Sequence, residues 1–329
     1  MRIAFFGTPA PAVPSLQAFL DADDVEVAAV VTNPDRPAGR GRRLTAPPVK
    51  VVAADAGVPV WQPERPRAVL EDLRALRPDA CAVVAYGAIL PQDLLDAGGA
   101  GFVNLHFSLL PRWRGAAPVQ HSILAGDTEM GLTCFVLEAG MDTGPVLLQH
   151  HTVLGARETA GELMERLAEA GAPLLVSAVR GLVEGSLAPE PQDSSAAILA
   201  PKVDPAQARI DWAAAAANVD RAVRAFNPVP GAHTTFGGQR LKVHRVRPLA
   251  PSAAVRGRPA PGTVAGRHDS LPLVRCGQGA VLLEEVQPAG KPRMAGGDFL
   301  NGYRPEGAVL GVADPGDAVG AGPAADAPA

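Results

Sequence analysis

The chain has 329 residues, of which 47% are hydrophobic and 19% charged, and its formal net charge is −4. This length predicts two domains, and no apolar run approaches the roughly 20 residues of a membrane-spanning helix. Its three cysteines, Cys81, Cys134 and Cys276, are far apart, which argues against a disulfide framework and a cysteine-ligated zinc site. The N-terminal segment lacks a secretory pattern, so we expect a cytoplasmic protein with no membrane contact.

The charge is unevenly distributed between the two halves of the sequence. Residues 201–312 contain 15 Lys and Arg against 8 Asp and Glu, whereas residues 1–200 contain 15 against 23. Asymmetry of this kind indicates a polyanion that contacts the basic half. A chance excess of charge on a solvated surface explains the same numbers, and composition alone leaves both interpretations open.

The first half alternates short apolar runs with helical patterns. Strands are predicted at Arg2–Phe6, Val25–Val31, Val58–Trp61, Ala80–Ala85, Phe102–Leu105 and Leu132–Leu137, and helices at Val13–Leu20, Val49–Ala56, Ala68–Leu76 and Val119–Leu124. A capping-box pattern at Thr159 starts a further helix that runs to about Val183. The alternation predicts an α/β fold with an open, mostly parallel sheet flanked by helices.

The composition changes after residue 188. Residues 189–206 are rich in Pro, Ser and Ala, which predicts a linker between a first domain at 1–188 and a second at 207–312. For the second domain we expect a helix at Ile210–Arg224 and then short strands at His233–Phe236, Arg240–Val246, Gly262–Ala265, Leu271–Arg275 and Ala280–Val286. This pattern predicts a small barrel or sandwich. Residues 313–329 cannot form a core and are expected to be disordered.

Three polar side chains follow predicted strands of the first domain. Asn104 and His106 lie at the end of the Phe102–Leu105 strand, and Asp142 lies in the loop after Leu132–Leu137. Ligands of open parallel sheets bind beyond the carboxyl ends of the strands, so we expect the three to meet at one edge. An amide can stabilise an oxyanion, an imidazole can carry a proton, and a carboxylate can orient the imidazole. The set predicts transfer of an acyl-type group to an amine.

Two other motifs are rejected as sites. Gly7-Thr-Pro lacks the later glycines of a dinucleotide-binding loop, and the chain has no Gly-Lys-Ser/Thr phosphate loop. His150 and His151 are adjacent, so on a strand they face opposite sides, and no other ligand is near in sequence. We therefore predict no protein-bound metal.

Several longer segments carry a family resemblance. They are FFGTPAPAVPSL, VVTNPDRPAGRGRRL, VVAYGAILP, VNLHFSLLPRWRGAAPVQHSILAGD and GLTCFVLEAGMDTGPVL. Up to about Val312 the chain resembles the methionyl-tRNA formyltransferase family, a branch of the folate-dependent formyltransferases. The Asn-x-His, Ser-Leu-Leu-Pro and Asp pattern marks the wider family, whereas the PDRPAGRGR loop and the second domain narrow the resemblance to the tRNA branch.

The resemblance implies a Rossmann-like formyltransferase fold followed by an OB-like β-barrel domain that contacts tRNA. It implies transfer of the formyl group of 10-formyltetrahydrofolate, a co-substrate, to the amino group of methionine on initiator Met-tRNA for translation initiation. We expect a monomer. The alternative is a folate-dependent formyltransferase that acts on a small-molecule amine, which the Arg-rich loop and the basic second domain disfavour.

The resemblance also implies roles for individual residues. Asn104, His106 and Asp142 match the catalytic trio of the family. Folate contacts are implied for Ser108, Leu109, Leu110, Pro111, Tyr86, Gly87 and Ile89, and tRNA contacts for Arg36, Arg40, Arg42 and Arg43. Composition alone fits a solvated connector at this loop equally well, and Trp113 could stack on a base or pack its own loop.

Overall fold

The computed structural model describes residues 1–38, 43–249 and 259–312. These residues form two compact units: the first comprises Met1–Ser122, Asp127–Ala156 and Glu162–Lys202, and the second Ile123–Gly126, Arg157–Gly161 and the chain from Val203 onward. Arg40, Arg42 and the predicted disordered tail at 313–329 lie outside the described residues.

The first unit contains the elements that carry the predicted site. In chain order they are β1 (Arg2–Gly7), α1 (Val13–Leu20), β2 (Glu26–Val31), β3 (Arg36–Ala38), β4 (Arg43–Thr45), α2 (Pro48–Asp55), β5 (Val60–Trp61), α3 (Leu70–Leu76), β6 (Ala80–Val84), α4 (Gln92–Leu95), β7 (Phe102–His106), α5 (Pro118–Ala125), β8 (Glu129–Val136), β9 (Val146–Val153) and α6 (Ala160–Glu184). The last residues of α5 and the first of α6 belong to the second unit.

Seven of these strands form one sheet in the order β5-β2-β1-β6-β7-β8-β9. The strands from β5 to β7 are parallel, and the apolar runs of β1, β2, β6 and β7 are largely buried on both faces, as the sequence pattern predicts. β8 runs antiparallel to β7, and β9 runs antiparallel to β8. The predicted strand at Leu132–Leu137 is therefore an antiparallel member of the sheet, and β9 is an element that the sequence reasoning did not predict.

The second unit is built on a separate antiparallel sheet. Its elements are α7 (Ala216–Ala225), β10 (His233–Phe236), β11 (Gln239–Leu249), β12 (Val264–His268), β13 (Leu271–Arg275), β14 (Ala280–Pro288), β15 (Met294–Ala295) and α8 (Gly296–Tyr303). The strand order is β10-β11-β14-β13-β12, with β15 paired to β14. The predicted fold class, a mostly parallel sheet with flanking helices followed by a small antiparallel β domain, is confirmed.

The predicted helix at Ile210–Arg224 is wrong in its first half. The backbone N–H of Ile210 donates to the carbonyl of His233, and Trp212 Nε1 donates to Thr234 Oγ1 at 3.0 Å. Because Arg209 pairs with β10 in an isolated bridge and residues 212 and 213 form a turn, this part of the segment is not helical, and the helix begins only at Ala216. Apolar spacing alone does not distinguish these two structures.

The predicted linker at residues 189–206 contains short ordered elements. The backbone of Glu190 pairs with that of Val146 in an isolated β-bridge, and the backbone of Leu199 pairs with that of Arg114 in another. Most of these residues, up to Lys202, belong to the first unit. The division of the chain at residues 188 and 207 stays a prediction.

Candidate active site

Asn104 and His106 are two residues apart on β7, so their side chains lie on the same face of the sheet. Asn104 is half-buried, and its amide has no hydrogen-bond partner among the residues that the structure describes. His106 is 6% exposed. The strand therefore presents a free amide beside a buried imidazole.

The two ring nitrogens of His106 have different surroundings. Nε2–H donates to the carbonyl oxygen of Trp113 at 2.9 Å. Nδ1 lies 3.7 Å from Oδ2 of Asp142. Since a carbonyl only accepts, the proton of the neutral ring is on Nε2, and Nδ1 is the nitrogen that can take up a second proton next to a carboxylate.

Burial lowers the pKa of His106, because the charged imidazolium loses its hydration. The carboxylate of Asp142 and the carbonyl of Trp113 raise the pKa, but they offset only part of the lowering. The imidazole is therefore neutral at neutral pH and available to accept a proton.

Asp142 reaches His106 by a route that the sequence reasoning did not foresee. β7 and β8 are antiparallel, so their carboxyl ends lie at opposite edges of the sheet, and the expectation based on parallel strands does not apply to Asp142. The loop after β8 returns to the imidazole. Asp142 has a left-handed backbone (φ 51°), and its Oδ2 accepts from the backbone N–H of Gly115 at 2.7 Å.

Trp113 packs within its own loop. Its Nε1 donates to Asp127 at 2.8 Å, the Arg112 guanidinium lies 4.6 Å from its ring centroid, and His121 stacks on the ring. These contacts hold Trp113 at a φ of 64°, a backbone conformation that costs a bulky residue about 1–3 kcal/mol. The conformation directs the Trp113 carbonyl to His106.

Asp127 is the anchor of this loop. It accepts from Arg112 Nη2 at 2.6 Å, from Trp113 Nε1 and from Ser122 Oγ at 2.9 Å. Burial alone raises the pKa of Asp127, but these three donors outweigh burial, and the pKa lies below its ordinary range. The anchor is therefore ionised at neutral pH.

The predicted folate segment Ser108–Pro111 is mostly internal. Ser108 is fully buried and its Oγ donates to the carbonyl of Arg112 at 2.6 Å, while Leu110 is 5% exposed. Leu109 and Pro111 are the half-buried members of the segment. The contacts show how the segment is held, and its binding of folate stays a prediction.

Residues Tyr86–Ile89 follow β6 at the same edge as Asn104. The side chain of Tyr86 is 3% exposed and belongs to the core, whereas Gly87 is exposed and Ile89 is 85% exposed. The carbonyl oxygen of Tyr86 accepts from Asn33 Nδ2 at 2.7 Å and from Thr8 Oγ1 at 3.2 Å. The start of this predicted folate segment is therefore tied to the loops after β1 and β2, and Gly87 and Ile89 are its exposed part.

The Arg-rich segment begins with β3 and ends with β4, and these two strands pair as a β-hairpin. Its register places Arg36 and Arg43 on one face, where both are exposed. At the base of the hairpin, Asp35 accepts from Lys50 Nζ at 2.8 and 2.9 Å and from Gln62 Nε2 at 2.8 Å. The two described arginines are thus exposed cations on an anchored hairpin.

Gln192 also contacts the site, and the sequence reasoning missed it. It lies within the predicted linker and hydrogen-bonds the backbone of Asp142 and the side chain of Arg114. The Pro, Ser and Ala around it gave no signal of this contact. Gly115 was missed for a different reason, since it acts through its backbone N–H, which has no signature in the sequence.

Among the residues that the structure describes, no cluster of three or more His, Cys, Asp and Glu side chains is placed to hold a metal ion. In the same part of the chain, no helix has the length and apolar character to cross a membrane.

Comparison with known proteins identifies the family. A family model described as "Formyl transferase" matches residues 1–179, and one described as "Formyl transferase, C-terminal domain" matches residues 202–304. The chain is 47% identical over 326 residues to the methionyl-tRNA formyltransferase of Frankia casuarinae, covering 95% of this chain and 97% of that protein. The chain belongs to the formyl transferase family, and within it to the methionyl-tRNA formyltransferases.

A second methionyl-tRNA formyltransferase, from Thermobifida fusca, is 50% identical over 306 residues, which are 92% of this chain and 97% of that protein. Among solved structures, the methionyl-tRNA formyltransferase from Clostridium thermocellum aligns with a TM-score of 0.56 and 17% identity over 75% of this chain and 93% of that one. A Helicobacter canadensis N-formyltransferase aligns with a TM-score of 0.64 and 16% identity, over 87% and 98%. At these identities the solved structures show the shared fold alone.

Proposed function

We propose that the site transfers the formyl group of 10-formyltetrahydrofolate to the α-amino group of methionine on initiator Met-tRNA. The amine attacks the formyl carbon, so a new C–N bond forms while the bond from that carbon to N10 of the folate breaks. The amine loses one proton and N10 gains one. The chain must therefore stabilise an oxyanion and carry a proton between two nitrogens.

The three candidate residues supply these functions. The free amide of Asn104 donates to the oxygen of the tetrahedral intermediate. His106 accepts the amine proton at Nδ1 and returns it to N10, and the Asp142 carboxylate, 3.7 Å away, stabilises the imidazolium between the two steps. One observation carries the proposal. On one face of β7, the free amide of Asn104 lies beside the imidazole of His106, and a carboxylate lies next to Nδ1 of that imidazole.

A polyanionic acceptor is supported by exposed cations in both units. In the first unit these are Arg36 and Arg43 of the hairpin, to which the sequence adds Arg40 and Arg42. In the second unit, the pairings of β10 place the exposed Arg209 and Arg240 and the half-buried Lys242 on one face, around His233. Burial and then the neighbouring Arg240 lower the pKa of His233. Each unit thus offers positive charge to tRNA phosphates.

The pH dependence of the reaction tests the role of His106. We expect kcat/KM to fall as the pH drops through an apparent pKa below the ordinary value for histidine, because only the neutral imidazole accepts a proton. In Asp142→Asn this pKa should be lower still, since the carboxylate that raises it is gone, and the plateau rate should also fall. Profiles from about pH 5 to 9 measure both changes.

The matched control for this profile is Asp21→Asn, which removes an exposed carboxylate at the end of α1. Its profile should coincide with that of the unsubstituted enzyme. An acid limb that stayed in place or moved to higher pH in Asp142→Asn would contradict the proposed pairing of Asp142 with His106.

The exposed arginines of the hairpin should act on tRNA binding and not on the chemical step. In Arg36→Ala/Arg43→Ala we expect the KM for Met-tRNA to rise about tenfold with kcat retained. The slope of log KM against log salt should become less steep by about two, one for each lost phosphate contact. Steady-state kinetics at several salt concentrations measure these changes.

The control is Arg67→Ala/Arg74→Ala, which removes the same charge from two exposed arginines that are ion-paired to Asp93 and Glu71. An equal loss of tRNA affinity in this control would show a general effect of charge. The hairpin would then have no specific role.

The nearest rival function is formyl transfer to a small amine. The experiment that separates the two compares kcat/KM for initiator Met-tRNA with kcat/KM for methionine methyl ester, which carries the same amine without the nucleic acid. The proposal predicts that tRNA is preferred by at least about 100-fold, since phosphate contacts add affinity that the ester lacks. Equal or better use of the ester would favour the rival.

A further inference from the structure

Gln192 connects the two loops that surround His106. Its Nε2 donates to the carbonyl oxygens of Asp142 at 2.9 Å and of Gly144 at 2.7 Å. Its Oε1 accepts from Arg114, with distances of 3.1 Å to Nε and 2.8 Å to Nη2. One side chain therefore holds the loop that carries Asp142 and the loop that follows β7.

Only a side-chain amide satisfies these four contacts. Arg114 is 6% exposed and donates only, and in the described part of the chain no carboxylate lies within ion-pair distance of it. The two backbone carbonyls accept only. A carboxylate at position 192 accepts from Arg114 but repels both carbonyls, and an apolar side chain leaves the buried donors and acceptors unpaired.

The contacts of Gln192 determine where Asp142 sits. The carbonyl of Asp142 is held by Gln192, and its Oδ2 is held by the N–H of Gly115, the residue that follows Arg114. These bonds fix the left-handed backbone at Asp142, which few residues other than Gly, Asn and Asp adopt. Loss of Gln192 frees both loops at once.

We propose that Gln192 is a positioning residue that holds the carboxylate of Asp142 at Nδ1 of His106. The proposal rests on the proposed function only in assigning a catalytic purpose to this pair. The geometry itself does not depend on the substrate: the amide of Gln192, which follows α6 in the chain, joins both loops.

The groups around His106 predict the direction of the effect. The imidazole faces the Asp142 carboxylate, the Trp113 carbonyl and the Phe135 ring, which is nearly perpendicular to it. Arg114, held by Gln192, and Arg112, held by Asp127, are the cations of the adjoining loop. If Asp142 moves away, the imidazolium loses the one carboxylate within 4.0 Å among the described residues, so the His106 pKa falls.

The first test is kinetic. In Gln192→Ala we expect kcat for formyl transfer to Met-tRNA to fall about 10–100-fold, because misplacing a catalytic group by about 1 Å has effects of this size. The KM for Met-tRNA should stay the same. The control is Gln92→Ala, which removes an exposed glutamine amide bonded to Asp96 on the surface of the same unit and should leave kcat unchanged.

The second test needs no substrate. NMR titration of the imidazole of His106, assigned by its disappearance in His106→Asn, should give a lower midpoint in Gln192→Ala than in the unsubstituted chain. In the Asp142→Asn background, Gln192→Ala should cause no further shift and no further loss of kcat, since the group that it positions is already gone. This titration tests Gln192 even if the chain formylates no tRNA.

Three results would overturn the proposal. They are an unchanged His106 midpoint in Gln192→Ala, effects that add in the Asp142→Asn background, and recovery of full kcat in Gln192→Glu. The last result would mean that Gln192 serves only to satisfy Arg114, since a carboxylate does this without donating to Asp142. If Gln192→Ala does not fold, Gln192→Asn keeps the amide with a shorter reach and should show both shifts, smaller in size.

Discussion

Replacing His106 with Asn is expected to lower kcat for formyl transfer by about 10²–10⁴, the usual contribution of a positioned general acid and base. The substituted amide cannot take up the proton that the attacking amine releases, and it leaves Asp142 without the group that its charge stabilises. Binding of Met-tRNA should be retained, because the basic groups of both units are unchanged. Single-turnover formylation and a separate tRNA-binding assay measure the two quantities.

The control for this substitution is His151→Asn, which changes an exposed histidine on β9. It should behave as the unsubstituted enzyme. The melting temperature of His106→Asn must also be measured, since His106 is buried and its replacement disturbs packing. A folded His106→Asn variant with an undiminished kcat would show that the imidazole carries no proton in the reaction.

Replacing Asn104 with Ala is expected to lower kcat by about 10²–10³, the usual effect of removing one donor to an oxyanion. The amide of Asn104 bonds to nothing else in the described part of the chain, so its loss breaks no internal contact. Activity should therefore fall much more than stability does. Parallel measurement of kcat and of the melting temperature tests this separation.

A second variant sharpens the Asn104 test. Asn104→Asp keeps the size of the side chain but removes its N–H donors, so it should be at least as damaging as Asn104→Ala. Asn218→Ala, at an exposed position on α7, is the control for loss of an amide. Near-normal kcat in Asn104→Asp would mean that another group holds the oxygen.

The local part of the site could be predicted from sequence. Asn104 and His106 are two residues apart in an apolar run, and strand geometry alone places them on one face. The parallel strands were predictable for the same reason, since buried runs such as Ala80–Val84 are local features.

The non-local part could not be predicted in this way. The contact of Asp142 with His106 depends on an antiparallel strand and on a loop that returns, and the residues that hold it are Gly115 and Gln192. A backbone N–H leaves no mark in the sequence, and Gln192 lies in a stretch whose composition indicates a linker. Trp113 illustrates the same limit, because its role in the loop depends on Asp127, 14 residues away.

One measurement tests formyl transfer to the methionyl amine most directly. The purified chain is mixed in excess with donor labelled in its formyl carbon and with initiator Met-tRNA, and the label is followed through a single turnover. We predict that the label appears on the amino group of methionine, at a rate that depends on His106 and Asn104. Label released as formate, or left on the folate while tRNA is present, would contradict the account.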